Sequence, residues 1–246
     1  MSLFGRKSSD DDTIVALLSN ALRRDICFGV LAPDAKLKLS DLKTRYGGSN
    51  HSLREALRVL TSEGLVEAEA QRGFRVASAT QEDMVDTLRL RAEIEGLALR
   101  WAVADGDVRW ESAVIAARHA LRRAEEAVQS QPADEVALEW DEAVRAFHVA
   151  LVSACQSPRM MVLQKQLYDQ SRRFFLAALR EGQLDFPARQ ARHDALLQAV
   201  LDRDSPQAVQ QLRREILGDL LPGFTEGGSL VLPATLASDK KREETA

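Results

Sequence analysis

Apolar residues recur along the first third of the chain with the spacing of short helices that pack on one face. Residues 13–28 carry one such stripe, and a second pattern begins near Ser40 and breaks at Gly47-Gly48. The second pattern predicts two amphipathic helices. Its apolar positions are Leu42, Tyr46, Leu53, Ala56, Leu57 and Leu60.

The pattern changes after the second of these helices. Gly64 stands where a left-handed C-terminal cap is expected. Residues 65–69 and 74–77 are typical of two strands joined by a turn at Arg72-Gly73. Two helices around a tight turn, followed by a hairpin, predict a winged helix-turn-helix. Because such a domain presents its second helix to the major groove, the segment indicates a DNA-binding protein.

Small polar residues predict where the two helices begin. We expect Ser40 to cap the first helix and Ser49 or Asn50 to cap the second. The second helix would then present a set of polar side chains to DNA, namely Asn50, His51, Ser52 and Arg54.

Helical periodicity continues through most of the remaining chain. Glycines, prolines and acidic caps divide it into segments near residues 81–104, 107–129, 133–155, 158–180, 187–202 and 205–220. Six helices of this length predict an antiparallel bundle, whose interior suits a small-molecule site. The expected fold is mainly α, with an N-terminal winged helix-turn-helix and a C-terminal all-α bundle.

Composition and periodicity divide the chain into four parts. The expected order is a disordered tail, a DNA-binding domain, a helical domain and a flexible tail, over residues 1–12, 13–79, 81–222 and 223–246.

Charge and composition restrict the class of protein. The chain has a net charge of −4, but residues 13–79 hold ten Lys or Arg against seven Asp or Glu. Only this part has the excess of positive charge that suits phosphate. The net negative charge of the whole chain argues against a protein that coats nucleic acid. Apolar runs of membrane-spanning length and a secretion signal are absent, so we expect a cytoplasmic protein. Cys27 and Cys155 show no metal or redox spacing.

The helix-turn-helix segment RYGGSNHSLREALRVLTSEGLVEAEAQRGFRV resembles the DNA-binding domain of the GntR family of bacterial transcription regulators. LREAL, GLV and RGF-x-V carry the match. RAFHVALVSACQSPRM, LYDQSRRF and HDALLQAVLDRDSPQAV resemble the FCD effector domain of its FadR branch. The resemblance covers roughly residues 13–222 and looks closest to the carbon-starvation-induced regulator subgroup.

The resemblance implies which residues contact DNA. Arg54 matches an arginine that contacts DNA from the recognition helix, and Arg72-Gly73 match a turn of the wing. Asn50 replaces a base-reading arginine and Ser52 replaces a proline, so the operator cannot be copied from a relative. The DNA-contacting set implied is Ser49, Asn50, His51, Ser52, Arg54, Arg58, Arg72 and Gly73.

FCD regulators often hold a divalent metal, and the resemblance maps its ligands to His148, His193 and Glu215. The usual first ligand is replaced by Val144, which cannot coordinate a metal. Three interpretations stay open. In the first, the three residues hold Zn, Mn or Ni. In the second, the histidines and nearby arginines bind an organic acid directly. In the third, His148 and His193 are core histidines satisfied by hydrogen bonds.

Arg91 matches an arginine that faces the cavity in relatives, where it would clamp a carboxylate. Its alternative role is a surface ion pair with Glu95, four residues on. The aromatic residues of the helical part are expected to pack rather than to contact a ligand; they are Trp101, Trp140, Phe147, Phe174 and Phe175.

The resemblance therefore implies a homodimeric transcription regulator, not an enzyme. It also implies that residues 81–222 form the effector-binding and dimerisation domain. We expect it to repress a catabolic operon and to leave its operator DNA when a small carboxylate binds at Arg91, His148 and His193. Two alternatives use the helical part differently: a metal-dependent hydrolase, or a helical interaction protein with a vestigial cavity.

Overall fold

The computed structural model describes residues 8–69 and 73–220, with side chains from residue 13 onward. It consists of helices and one small sheet, in two compact units. The first unit comprises the described residues up to Thr87 together with Met161–Gly182. The second comprises Leu88–Met160 and the described residues from Gln183 onward.

The first unit contains the predicted helix-turn-helix. Its helices are α1 (Ser8–Cys27), α2 (Leu39–Tyr46) and α3 (Asn50–Ser62), and both α1 and α2 pack against α3. Gly47 and Gly48 have φ angles of 73° and 80°, a conformation that favours glycine and makes the tight turn between α2 and α3. The buried side chains include Leu22, Leu42, Leu53, Leu57 and Leu60.

The wing is a three-stranded antiparallel sheet rather than the predicted hairpin alone. Strands β2 (Val66–Glu69) and β3 (Gly73–Val76) pair as predicted, with Val66 opposite Val76. A further strand, β1 (Lys36–Leu37), pairs with the other edge of β3. Two residues carry too little periodicity to predict a strand.

The N-cap observed for α3 agrees with the sequence prediction, whereas the N-cap observed for α2 differs from it. Ser49 caps α3: its Oγ accepts from the Ser52 N–H at 3.0 Å. Ser40, in contrast, lies inside α2, whose N-cap is Lys38, so its predicted capping role is wrong. The Ser40 hydroxyl donates to Asp41 instead.

The two predicted tails lie largely outside the described residues. The residues that are not described are 1–7, more than half of the N-terminal tail, and 221–246, which include all of the C-terminal tail. Residues 8–12 were expected to be disordered, but α1 already begins at Ser8.

The remaining helices closely match the predicted segments. They are α4 (Gln81–Asp105), α5 (Val108–Ser130), α6 (Asp134–Val152), α7 (Pro158–Arg180), α8 (Phe186–Leu201) and α9 (Ser205–Gly218). A 3-10 helix at Ser153–Cys155 ends the segment predicted over 133–155. Side chains of Asp107, Asp185 and Asp204 cap α5, α8 and α9, each by accepting from a backbone amide in the first turn.

The second unit is formed by α5, α6, α8, α9 and most of α4. In it α5 packs against α6 and α8, and α8 packs against α9. The other predicted bundle helix, α7, belongs from Met161 onward to the first unit. No helix in the part of the chain that the structure describes is long and apolar enough to cross a membrane.

Candidate functional site

The outer face of α3 carries most of the predicted DNA contacts. Asn50, His51, Arg54 and Arg58 are exposed, while the leucines of the same helix are buried in the first unit. Positions 50, 54 and 58 recur every four residues and therefore lie along one face. Arg58 also forms an ion pair with Glu55. DNA contact by this face stays a prediction.

Ser52 differs from the expectation that it faces DNA. It is buried, and its hydroxyl accepts from the Ser49 N–H at 3.0 Å. Because Ser49 bonds back to Ser52, the two serines form a capping box that satisfies amides at the start of α3. This local bonding takes the place of the rigidity that a proline would supply.

Both strands of the wing are described, but residues 70–72 between them are not. Gly73 is exposed at the start of β3 and has a φ of 98°, while Arg72 lies outside the described residues. Farther along β3, Arg75 donates to Glu69 at 2.8 Å.

The second unit encloses a cluster of charged side chains, which we call the buried polar cluster. Each lies within a helix of this unit and is at most 4% exposed. Its members are Arg91 and Glu95 of α4, Arg118 and Glu125 of α5, His148 of α6, Arg189 and His193 of α8, and Glu215 of α9.

His148 is held between two carboxylates. Its Nδ1 lies 2.6 Å from Glu95 Oε2, and its Nε2 lies 3.5 Å from Glu215 Oε2. Arg91 Nε donates to the other oxygen of Glu95 at 2.8 Å. Arg91 thus forms the ion pair with Glu95 that was its alternative predicted role. The pair is buried, however, and not on the surface.

His193, on α8, has the same arrangement. Its Nδ1 lies 3.0 Å from Glu125 Oε1 and its Nε2 lies 2.8 Å from Glu215 Oε1. Arg189 donates to the same Glu215 oxygen at 2.9 Å. Glu215 is therefore shared by both imidazoles and a guanidinium.

The electrostatics of the buried polar cluster favour charged forms. Burial alone would raise the pKa of Glu95, but the charges of Arg91 and His148 outweigh it and lower that pKa to about 2. Burial alone would lower the pKa of His148, but the charge of Glu95 and the hydrogen bonds that the imidazole donates to Glu215 and Glu95 raise it. The pKa of Glu215 is well below its usual value because Arg189 and His193 outweigh its burial. The charged forms are therefore favoured despite burial, because each of these three groups lies beside a group of opposite charge.

The structure thus brings together the predicted ligands His148, His193 and Glu215, and it places Arg91 beside them. Val144 is buried one turn before His148 and offers no donor atom. Imidazole and carboxylate are donor types that suit Zn, Mn or Ni. As the side chains lie, however, no group of three or more His, Cys, Asp or Glu in the described ranges is arranged to hold a metal ion. Metal binding stays a prediction.

Several cluster members were missed from the sequence, although a signal for them exists. Arg118 and Glu125 occupy positions of the buried face of α5, between Val114, Leu121 and Val128. A charged residue on an otherwise apolar stripe is expected to find a buried partner. The same reasoning applies to Arg189 on α8.

Aromatic side chains surround the cluster. The rings of Phe147 and His193 meet edge to face, with their centres 5.5 Å apart. The Arg189 Cζ lies 5.4 Å from the centre of the Trp140 ring. Within residues 8–69 and 73–220, the buried indole N–H of Trp140 has no acceptor. Trp101, expected to pack, is 38% exposed.

Comparison with known proteins identifies two families along the chain. The gntR family of bacterial regulatory proteins matches residues 17–76, and the FCD domain matches residues 86–217. The HTH-type transcriptional repressor GlaR of Escherichia coli (strain K12) is 35% identical over 199 residues, which cover 80% of this chain and 89% of that protein.

Two further similarities agree. The uncharacterized HTH-type transcriptional regulator BphR of Paraburkholderia xenovorans (strain LB400) is 36% identical over 197 residues, 79% of each chain. The structure of E. coli McbR/YncC superposes with a TM-score of 0.63 at 20% identity, covering 82% of this chain and 93% of its own, and shows the same fold. The chain therefore belongs to the gntR family of bacterial regulatory proteins, as a DNA-binding transcriptional regulator with an FCD domain and not an enzyme.

Proposed function

We propose that this regulator is a cytoplasmic homodimeric repressor of a catabolic operon and that a small carboxylate releases it from its operator. Repression is supported by the relative GlaR, which is named a transcriptional repressor. Release by an acid is supported by the buried polar cluster of the FCD domain.

The exposed face of α3 supplies the DNA-reading side chains of this proposal. Arg54 is exposed in the middle of that face, where a guanidinium can meet a guanine edge or a phosphate with two hydrogen bonds. Asn50, exposed at the first turn, has the side chain that pairs with an adenine edge.

Arg54→Ala tests this face. The probe is DNA that the full-length protein selects from a random-sequence library. We expect the variant to lose specific binding in a gel-shift assay while its fold is unchanged, and a homodimer predicts two symmetric half-sites in the selected DNA. Arg123→Ala, an exposed arginine of α5, is the matched control and is expected to bind normally. Normal binding by Arg54→Ala would contradict the proposed orientation of α3.

The buried polar cluster carries the effector half of the proposal. A bound carboxylate presents the same two oxygens that Glu215 presents to the imidazoles of His148 and His193. A bound acid would therefore compete with Glu215 for N–H donors that already point toward a carboxylate. Arg91 and the buried indole N–H of Trp140 are further donors in this unit.

A divalent metal is the second way in which the same residues would bind an acid. His148, His193 and Glu215 would hold Zn, Mn or Ni, and the metal would supply a positive charge for the acid. Because the imidazoles face carboxylates, this mode requires those contacts to rearrange.

Thermal-shift screening of mono- and dicarboxylates, with and without Zn²⁺, Mn²⁺ or Ni²⁺, tests the effector half. A ligand that binds only the folded state raises Tm with its concentration. We expect one acid to raise Tm and to release the selected DNA over the same concentrations. His148→Gln should lose the shift relative to its own unliganded Tm, whereas the exposed His119→Gln should keep it.

The screen separates the two binding modes and can refute both. A shift without added metal, unaffected by chelator, supports direct binding; a shift that needs the metal supports coordination. If no acid shifts Tm, the effector half fails while DNA binding stands.

A further inference from the structure

One face of α7 contacts three separate parts of the DNA-binding domain. Gln170, Arg173 and Arg180 are three and seven residues apart, and this spacing places them on one side of a helix. We call these three residues the α7 face. All of its contacts described below lie within the first compact unit.

Arg173 binds the chain on both sides of the joint that follows the wing. Its Nη1 donates to the Ala77 carbonyl at 3.1 Å, and its Nη2 donates to Asp83 Oδ2 at 2.6 Å. The Arg173 side chain is only 8% exposed. Residues 78–80, between these two anchors, are therefore fixed at both ends by a single guanidinium.

Arg180 binds the end of α1. It donates to the Phe28 carbonyl at 2.8 Å, and its guanidinium lies 4.8 Å from the centre of the Phe28 ring. This carbonyl follows the last residue of α1, where helix carbonyls lack intrahelical partners.

Gln170 reaches the end of the recognition helix. Gly64, which follows α3, has a φ of 77°, and a Cβ there would lie 2.3 Å from Gln170 Nε2. A side chain at position 64 would be strained at this φ and would displace Gln170. The α7 face thus reaches the ends of α1 and α3 and the exit of the wing.

We propose that the α7 face is an intramolecular docking surface for the DNA-binding domain and that Arg173 is a positioning residue for DNA binding. By holding residues 78–80 in one conformation, Arg173 lowers the conformational entropy that the winged helix loses on binding DNA.

Arg173→Ala in the full-length protein tests the proposal, with Gln166→Ala, an exposed residue of the same helix, as control. We expect hydrogen exchange at residues 78–84 to accelerate about tenfold, because local opening no longer breaks the guanidinium contacts. The dissociation constant for library-selected DNA should rise about fivefold, with an unchanged dependence on salt, since no phosphate contact is lost.

The two readouts distinguish positioning from other roles. Unchanged exchange at residues 78–84, or the same acceleration in Gln166→Ala, would overturn the proposal. A shallower salt dependence would place Arg173 on phosphate and also overturn it.

Two further variants keep the test informative if Arg173→Ala does not fold. Arg173→Lys retains the charge toward Asp83 but cannot also reach Ala77 in the same fork geometry, so exchange and affinity should lie between those of the wild type and of Arg173→Ala. Arg180→Ala should accelerate exchange at the end of α1 only. Wild-type exchange in both variants would contradict docking by the α7 face.

Discussion

The exposed face of α3 and the buried polar cluster both contain arginine and histidine side chains, but in opposite surroundings. Asn50, His51 and Arg54 lie in solvent. Arg91, His148 and their partners are at most 4% exposed, and each has an oppositely charged group within hydrogen-bonding distance.

The difference lies in what each region costs the folded protein. An exposed arginine on α3 stays hydrated in the folded protein and is desolvated only when DNA binds. Its substitution is therefore expected to affect DNA binding and not folding. A buried charge is tolerated only while its partners remain, because the free energy of removing it from water is offset by those partners. Function in the first region is therefore separable from stability, whereas in the second the two are coupled.

The largest effect is expected from Glu215→Ala. This substitution leaves the imidazoles of His148 and His193 and the guanidinium of Arg189 without the carboxylate that they share. We expect the free energy of unfolding to fall by about 3–5 kcal/mol, the typical result of removing one member of a buried ion pair. Urea denaturation of the full-length protein measures it.

Glu126→Ala is the control for this substitution. Glu126 pairs with Arg123 on α5, and both side chains are more than half exposed. Its loss should change the free energy of unfolding by less than about 0.5 kcal/mol. Equal effects in the two variants would mean that the cluster is no more coupled to stability than the surface.

Local signals explain why the helices could be predicted from the sequence. Periodicity identified each helical segment, and small acidic residues such as Asp107, Asp185 and Asp204 marked where helices begin. Ser40 shows the limit of that reasoning, because any small polar residue near a helix start resembles a cap. The N-cap of α2 is Lys38, which directly follows strand β1 and makes no side-chain capping bond.

Partners across the fold could not be predicted. The sequence marks Arg118 and Glu125 as charges on an apolar stripe, but not that His193 lies opposite Glu125. Likewise the pattern of α7 predicts a helix, but not that Arg173 and Arg180 donate to backbone carbonyls far away in sequence.

An intermediate effect is expected from Ser49→Ala at the start of α3. The substitution removes the hydroxyl that accepts from the Ser52 amide and breaks the capping box. We expect a loss of about 1 kcal/mol in the free energy of unfolding, as for other N-cap serines. Asn50→Ala, one position later, should cost less because Asn50 is not the cap, and a larger loss for Asn50→Ala would contradict the assignment of Ser49 as N-cap.

The smallest effect on stability is expected from Arg58→Ala on the same helix. Arg58 meets Glu55 in an exposed pair, so its loss should change the free energy of unfolding by less than about 0.5 kcal/mol. If Arg58 binds a phosphate, the slope of log K against log salt for selected DNA should fall by about one. An unchanged slope would remove Arg58 from the DNA interface, and a stability loss comparable to that of Glu215→Ala would break the contrast between the two regions.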